Sequence, residues 1–389
     1  MLNGFLLKNG VSLPISIGQL YKTGILFFIF FIFIFRWRLL LVSLFFLTAL
    51  LLPTIYQIFK QNSASFLLLD LIKISKYLMP LFCFMYIVDY IKREKATAIK
   101  KLRKVVLFSY IVLVFNIFLK YVGLGYPMYE FGNIGSKGFF FAGNEISVLL
   151  IILSAVLAFN LWNQNKKKYY FVLWAVTLFA GLTVSSKTGV VGIMLLFLLI
   201  PLKRPSLRLD LKKMIFILFS LGVVVPLAIF GSWRFIQGTT FYIRLVYFSE
   251  KFDFWTFILS NRNVFLEDAC HNYVRQYDFV EKLIGVGNYN YELISNEKVV
   301  EMDIADIFFG YGFVGLVLFL AVLVFLCFQA LRFSKNTSRP YSNLVFFMVV
   351  FLFAISTLAG HVFSSGMAAA FVGILFGLMY YKESEPLKS

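Results

Sequence analysis

The residues with most chemistry to offer are three carboxylates within six positions, Glu301-Met302-Asp303-Ile304-Ala305-Asp306. They stand just before a long apolar run, so capping a helix N-terminus is one use, since the dipole favours negative charge there. Acting as general base toward a sugar hydroxyl is another. Glu301 and Asp303 could share a divalent metal only on extended backbone, where i and i+2 face one way; the expectation is no metal and no cofactor. His361, after Ala359-Gly360, is a reserve base at a span end, where a lone His also serves structure. His271 beside Cys270 forms no ligand-spaced set. Cations stand against these acids. Arg grips phosphate through a planar fork of donors, and Arg234, Arg244, Arg262 and Arg275 share the segment with the acids, which compete for them as ion-pair partners. Lys187 sits in Ser185-Ser186-Lys187-Thr188-Gly189, a break between two apolar runs of the kind tolerated where helices line a polar cavity. Asp70, Lys73 and Lys76 are spaced by three on one helical face. Lys73 and Lys76 could form a basic lip for a lipid diphosphate, or Asp70 could simply pair with Lys73 while the lysines snorkel. Ile284-Gly285-Val286-Gly287-Asn288 suits a tight turn with positive φ better than a dinucleotide site, because no helix-start pattern of that kind follows.

The chain must hold these groups in a bilayer. It has 389 residues, 60% hydrophobic and 14% charged, with 49 Phe, against roughly 45–50% and 25% in soluble domains. A span needs about 20 apolar residues. Runs at 39–59, 214–233, 307–331, 341–360 and 362–381 are clean; those at 18–35, 66–88, 105–121, 146–162, 169–185 and 188–202 are shorter or interrupted. That predicts an all-α polytopic membrane protein of about eleven helices (ten to twelve), forming one integral membrane domain over residues 1–389. The connections 36–38, 92–104, 166–168, 203–213 and 332–339 hold 20 Lys and Arg against two acids, which equals the whole net charge of +18. By the positive-inside rule they are cytoplasmic. Topology and lipid headgroups therefore explain the basic balance without a nucleic-acid partner. Residues 232–306 become a large late extracytoplasmic loop with seven basic and eleven acidic residues, too long to be structureless and expected to be functional and partly helical. Three Cys cannot staple such a chain.

The order of motifs resembles the bacterial O-antigen polymerases of the Wzy type, within the superfamily that includes O-antigen ligases. The segments that carry it are Phe141-Ala142-Gly143-Asn144-Glu145, the break at Ser185–Gly189, Leu259-Ser260-Asn261-Arg262 (where the family pattern is Leu-Ser-Gly-Arg), Ile284-Gly285-Val286-Gly287, Glu301-Met302-Asp303 with Gly310-Tyr311-Gly312, and Ala359-Gly360-His361-Val362. The resemblance implies a glycosyltransferase C-like membrane fold and a reaction on the extracytoplasmic face of the inner or plasma membrane. A glycan on undecaprenyl diphosphate passes to the non-reducing end of a fresh lipid-linked repeat unit, building O-antigen, capsule or a related polysaccharide. Fixed cations would stabilise the leaving diphosphate: Arg262 and Arg244 first, then Arg234 and Lys187. Glu301 or Asp303 would be the base, with His361 in reserve. Partners implied are the lipid-linked oligosaccharide, membrane lipids and a chain-length regulator. The ligase branch favours a His near the helix that re-enters the membrane; this chain carries Glu301 and Asp303 there, which leans toward polymerase. A ligase-type transferase remains the alternative, with a lipid-linked sugar flippase and a scaffold without chemistry ranked below it.

Overall fold

A computed structural model describes residues 17–61, 66–129, 133–140, 143–202, 240–296, 298–358 and 360–383, with isolated positions 64 and 237. Among these residues no strand forms; Tyr126–Gly138 and Tyr129–Ile134 are isolated bridges. The expected span at 214–233 lies outside the described residues. The chain divides into two compact units, one of Val106–Ile258 and one uniting Leu2–Val105 with Leu259–Ser389.

The second unit begins with α1 (Ile17–Ile34), α2 (Trp37–Gln61) and α3 (Leu67–Glu94), followed by the first turns of α4 (Ala96–Phe118). α1–α3 are apolar through their central turns, as spans require, while charges gather toward the ends of α3 (Asp70, Lys73 and Lys76; Asp89, Lys92, Arg93 and Glu94) and in the first turns of α4 (Lys100, Lys101, Arg103 and Lys104). α4 runs on into the first unit, where α5 (Gly143–Asn163), α6 (Lys167–Val184) and α7 (Lys187–Leu199) pack together. Ser186 caps α7, its hydroxyl accepting from the Gly189 N–H at 3.3 Å. The break at 185–189 is thus an N-cap with left-handed Ser185 ahead of it.

The long loop is helical, as its length predicts. It holds α8 (Thr240–Lys251), α9 (Phe254–Leu259), α10 (Arg262–Gln276), α11 (Phe279–Ile284) and α12 (Asn288–Ile294). In the second unit, α10–α12 form a lid pinned to the ends of α2 and α3. Asp278 and Glu281 make a reciprocal capping box at the start of α11. Lys60 of α2 then bonds both carboxylates, at 2.8 and 2.6 Å, and Gln57 donates to Glu281 at 2.6 Å. Burial pushes the Asp278 carboxyl up, but bonds from Lys60, the Glu281 N–H and Tyr56 outweigh it and hold it at about 2. From α3, buried Asp70 accepts from Thr54 and the Tyr289 N–H, while Lys73 pairs with Glu292. Of the two readings of this face, the Asp70–Lys73 pair does not form, because each residue finds a partner on another element.

α13 (Asp303–Ser334) is 32 residues long, more than a bilayer requires, and its helical path breaks at Gly312. There Gly310-Tyr311-Gly312 meets Gly285-Val286-Gly287 backbone to backbone: the Gly287 N–H donates to Gly310 O at 2.9 Å. A Cβ on Gly285 would lie 2.2 Å from that oxygen. The GxG is therefore a close-approach turn. α14 (Ser342–Leu358) and α15 (Ala369–Gly377) complete the unit. The last helix starts at Ala369, later than the expected 362; the backbone N–H groups of 362–364 instead wrap around one carboxylate, that of Asp303.

Candidate functional site

The start of α13, the start of α10 and the segment 360–364 converge in the second unit. Leu259-Ser260-Asn261-Arg262 turns through two left-handed residues, Ser260 (φ 55°) and Asn261 (φ 69°). Asn tolerates this region best after Gly, which explains how it stands where the family pattern has Gly. The turn aims Arg262 inward. Its guanidinium is buried; Nε donates to the Glu301 carbonyl at 3.1 Å and Nη2 to Glu301 Oε2 at 3.0 Å. Glu301 is itself left-handed (φ 61°), and its carboxylate is 44% exposed. Against its carbonyl packs Gly360, where a Cβ would lie only 1.6 Å from that oxygen, so no other residue fits.

Asp303 is fully buried and its carboxylate is saturated. Val362 and Phe363 N–H groups donate to Oδ2 at 2.8 and 2.9 Å; the Ser364 N–H at 3.4 Å and its hydroxyl at 2.5 Å donate to Oδ1. Three successive backbone N–H groups form an anion nest, and Asp303 fills it. Ser364 Oγ then lies 3.3 Å from His361 Nδ1. Because the hydroxyl proton is committed to Asp303, Ser364 can only accept from the imidazole. In the neutral ring this places the proton on Nδ1 and leaves the Nε2 lone pair free. His361 has φ 52°. Left-handed backbone at Glu301, Gly360 and His361 together is the kind of strain that collects where geometry must be held for chemistry.

One helical turn beyond Asp303, Ile307 borders a narrow apolar cavity of about 100 Å³, lined also by Tyr77, Tyr311, Phe319 and Phe363. Asp306 turns the other way, accepting from the buried Tyr291 hydroxyl at 3.1 Å, and burial drives that phenol far up. Asp306 therefore ties the lid to α13.

The structure thus gathers Arg262, Glu301, Asp303 and His361 in one cluster. Asp303 is the fully buried member, its carboxylate bonded by the backbone of 362–364 and the Ser364 hydroxyl. Lys73 is engaged by Glu292 and Lys76 also has a partner. In the first unit, Lys187 donates to the Phe257 carbonyl at 2.8 Å and lies over the Phe257 ring. Arg244 falls on α8 with its side chain outside the described residues, as is Arg234 altogether. Sequence reasoning missed Ser364 and the role of Gly360. The available signal was Ser364-Ser365-Gly366, a polar interruption just inside an apolar run.

Among the described residues five helices are long and apolar enough to cross a membrane, and shorter apolar helices accompany them, which makes this a multi-pass membrane protein. The chain belongs to the family described as O-antigen ligase like membrane protein, matched over residues 25–205 and 249–383. That match includes the whole cluster and passes over 206–248, where Arg234 and Arg244 lie. Membership makes it a membrane enzyme of O-antigen processing that transfers glycosyl groups. No curated protein and no solved structure matches the chain.

Proposed function

We propose that the protein is a repeat-unit polymerase, moving a glycan from undecaprenyl diphosphate to the non-reducing end of another lipid-linked repeat unit. The observation that carries this is the juxtaposition of Arg262, Glu301 and His361 beside the apolar cavity at Ile307 and Phe363. At about 100 Å³ the slot takes only a short stretch of an isoprenoid tail, and the cluster beside it suits a diphosphate and a sugar.

Chemically, the acceptor hydroxyl oxygen bonds to the donor's anomeric carbon as the bond from that carbon to the diphosphate oxygen breaks. The hydroxyl proton passes to His361 Nε2, whose lone pair the Asp303–Ser364 relay keeps available. Undecaprenyl diphosphate departs with the electron pair, and the Arg262 guanidinium offsets its growing charge. Glu301, held by the same guanidinium, orients the acceptor sugar through its exposed carboxylate. Attack opposite the leaving group inverts the anomeric carbon.

One observation favours the ligase alternative. Folding returns His361 to the mouth of α13, so the His that the ligase pattern favours near the re-entering helix is there in space. The experiment separates the two. Purified protein in lipid nanodiscs receives only lipid-linked repeat units. A polymerase builds a ladder of products; a ligase leaves the units unextended until a separate acceptor is supplied. His361→Ala should reduce the ladder rate by about 10²–10⁴-fold, the usual contribution of a general base. A ladder of wild-type rate from that variant would overturn the assignment.

A further inference from the structure

The second unit carries a set of cations that the glycosyl-transfer cluster does not use, at the far end of the same helices. α2 reaches the lid through Lys60, 23 residues after Trp37, so its two ends are roughly 35 Å apart at 1.5 Å per residue. At the Trp37 end, the break between α1 and α2 meets the last turns of α3 and Tyr380 around a cleft of about 450 Å³. Arg36, Arg38 and Lys92 line it, with Asp89 as its acid. Asp89 is already flanked by Arg93 at 3.0 Å and Arg36 at 4.0 Å. Lys92 lies over the Tyr380 ring at 5.3 Å, and the Arg38 guanidinium over Trp37 at 5.4 Å.

Two features distinguish this cleft from an ordinary solvated ring of charge. It is concave, built from three separate stretches of chain, and its inner wall is apolar, formed by buried Phe84 and Met85. Its outer lip is aromatic: Phe35 and Trp37 are 74% and 64% exposed, as befits side chains at a headgroup boundary. Three cations against one acid, over a greasy wall, match a phosphate that carries an acyl chain. We propose that this cleft binds the phosphate group of an anionic phospholipid, a ligand site separate from the glycan chemistry. Basic pockets between membrane helices recognise lipid headgroups through such charge. Free inorganic phosphate shares the anion chemistry but makes no use of Phe84, Met85 or Trp37.

The test is native mass spectrometry of the full chain in detergent. It is titrated separately with short-chain phosphatidylglycerol, with phosphatidylcholine of equal chain length, and with inorganic phosphate. The wild type should hold phosphatidylglycerol in preference to phosphatidylcholine. Arg38→Gln with Lys92→Gln should erase that preference, by about five-fold for each cation removed. Arg38→Lys with Lys92→Arg should restore it, which excludes simple misfolding, as does an unchanged phosphatidylcholine titration. Retention of phosphatidylglycerol against excess inorganic phosphate assigns the site to lipid; displacement assigns it to the free anion. Equal binding of both lipids by the wild type, or an unchanged preference in the double Gln variant, overturns the proposal.

Discussion

Arg262 offers the sharpest perturbation, because its fork makes two bonds to one residue. Nε reaches the Glu301 carbonyl and Nη2 its carboxylate, at 3.1 and 3.0 Å. Lys in its place keeps the charge but presents a single point, so at most one of the two bonds survives. A hydrogen bond to a charged group contributes about 1.5–3 kcal/mol. The half-exposed carboxylate belongs at or below the low end of that range, since exposed ion pairs give about 0–1 kcal/mol. The left-handed conformation of Glu301 opposes this with roughly 1–2 kcal/mol of its own. Clamp and strain are therefore of similar size, and weakening the clamp frees the turn that carries Glu301. At 1.4 kcal/mol per factor of ten, Arg262→Lys should slow ladder formation about 10-fold. Arg262→Ala, which also removes charge from the leaving diphosphate, should slow it by about 100-fold or more, since loss of one fixed charge-stabilising donor has that scale. The assay is initial rate on purified lipid-linked repeat units at matched protein level, with the melting temperature of each variant alongside. A Lys variant turning over within two-fold of wild type would refute the claim that fork geometry matters here.

Other expectations follow from the same contacts. Asp303→Asn places an amide NH₂ or a neutral oxygen against the N–H groups of residues 362–364, losing two or more charge-assisted bonds at about 1.5–3 kcal/mol each. The purified variant should melt well below wild type, and an unchanged melting temperature would show that the nest is not formed. Ser364→Ala keeps the three backbone bonds to Asp303 but cuts the link to His361. It should melt less far below wild type than the Asn variant, since only one charge-assisted bond is lost, and turn over about ten-fold more slowly, an intermediate share of a base's usual contribution; wild-type turnover would remove Ser364 from the relay. Asp278 is held at about 2, below its ordinary 3.8. A depressed folded pKa means its contribution is complete above about 3.8 and is lost as pH falls toward 2. Hydrogen exchange at residues 278–284 should stay protected at pH 5 and open only in that acid window. Opening already between pH 6 and 5 would mean that another group secures the lid.

How much of this was visible in the chain depends on the kind of signal. Apolar length located α1, α2, α5–α7, α13 and α14 to within a few residues, since a bilayer sets one length for every span; it missed that α3 runs on to Glu94 and α4 starts at Ala96, because those turns are basic helix beyond the apolar run. The acids at 301–306 and His361 were visible as chemistry but not as geometry. Glu301, Asp303 and Asp306 read alike in sequence, yet three different neighbours decide their fates: Arg262 holds the first, the 362–364 nest saturates the second, and Tyr291 draws the third toward the lid. None of those neighbours lies within one helical turn, so local periodicity carries no trace of them. The last span was misplaced for the same reason. An apolar run from 362 satisfies any length rule, but the N–H groups of 362–364 donate to Asp303, 59 to 61 residues away. Those bonds hold the backbone of 362–364 around the Asp303 carboxylate, and helix follows only from Ala369. Ser364 and Asn261 shape the cluster: the first joins the Asp303 carboxylate to the His361 ring, and the second turns Arg262 inward. Polar interruptions of apolar runs carry this information because backbone released from helix inside a membrane must find a partner, and here that partner is the buried Asp303 carboxylate.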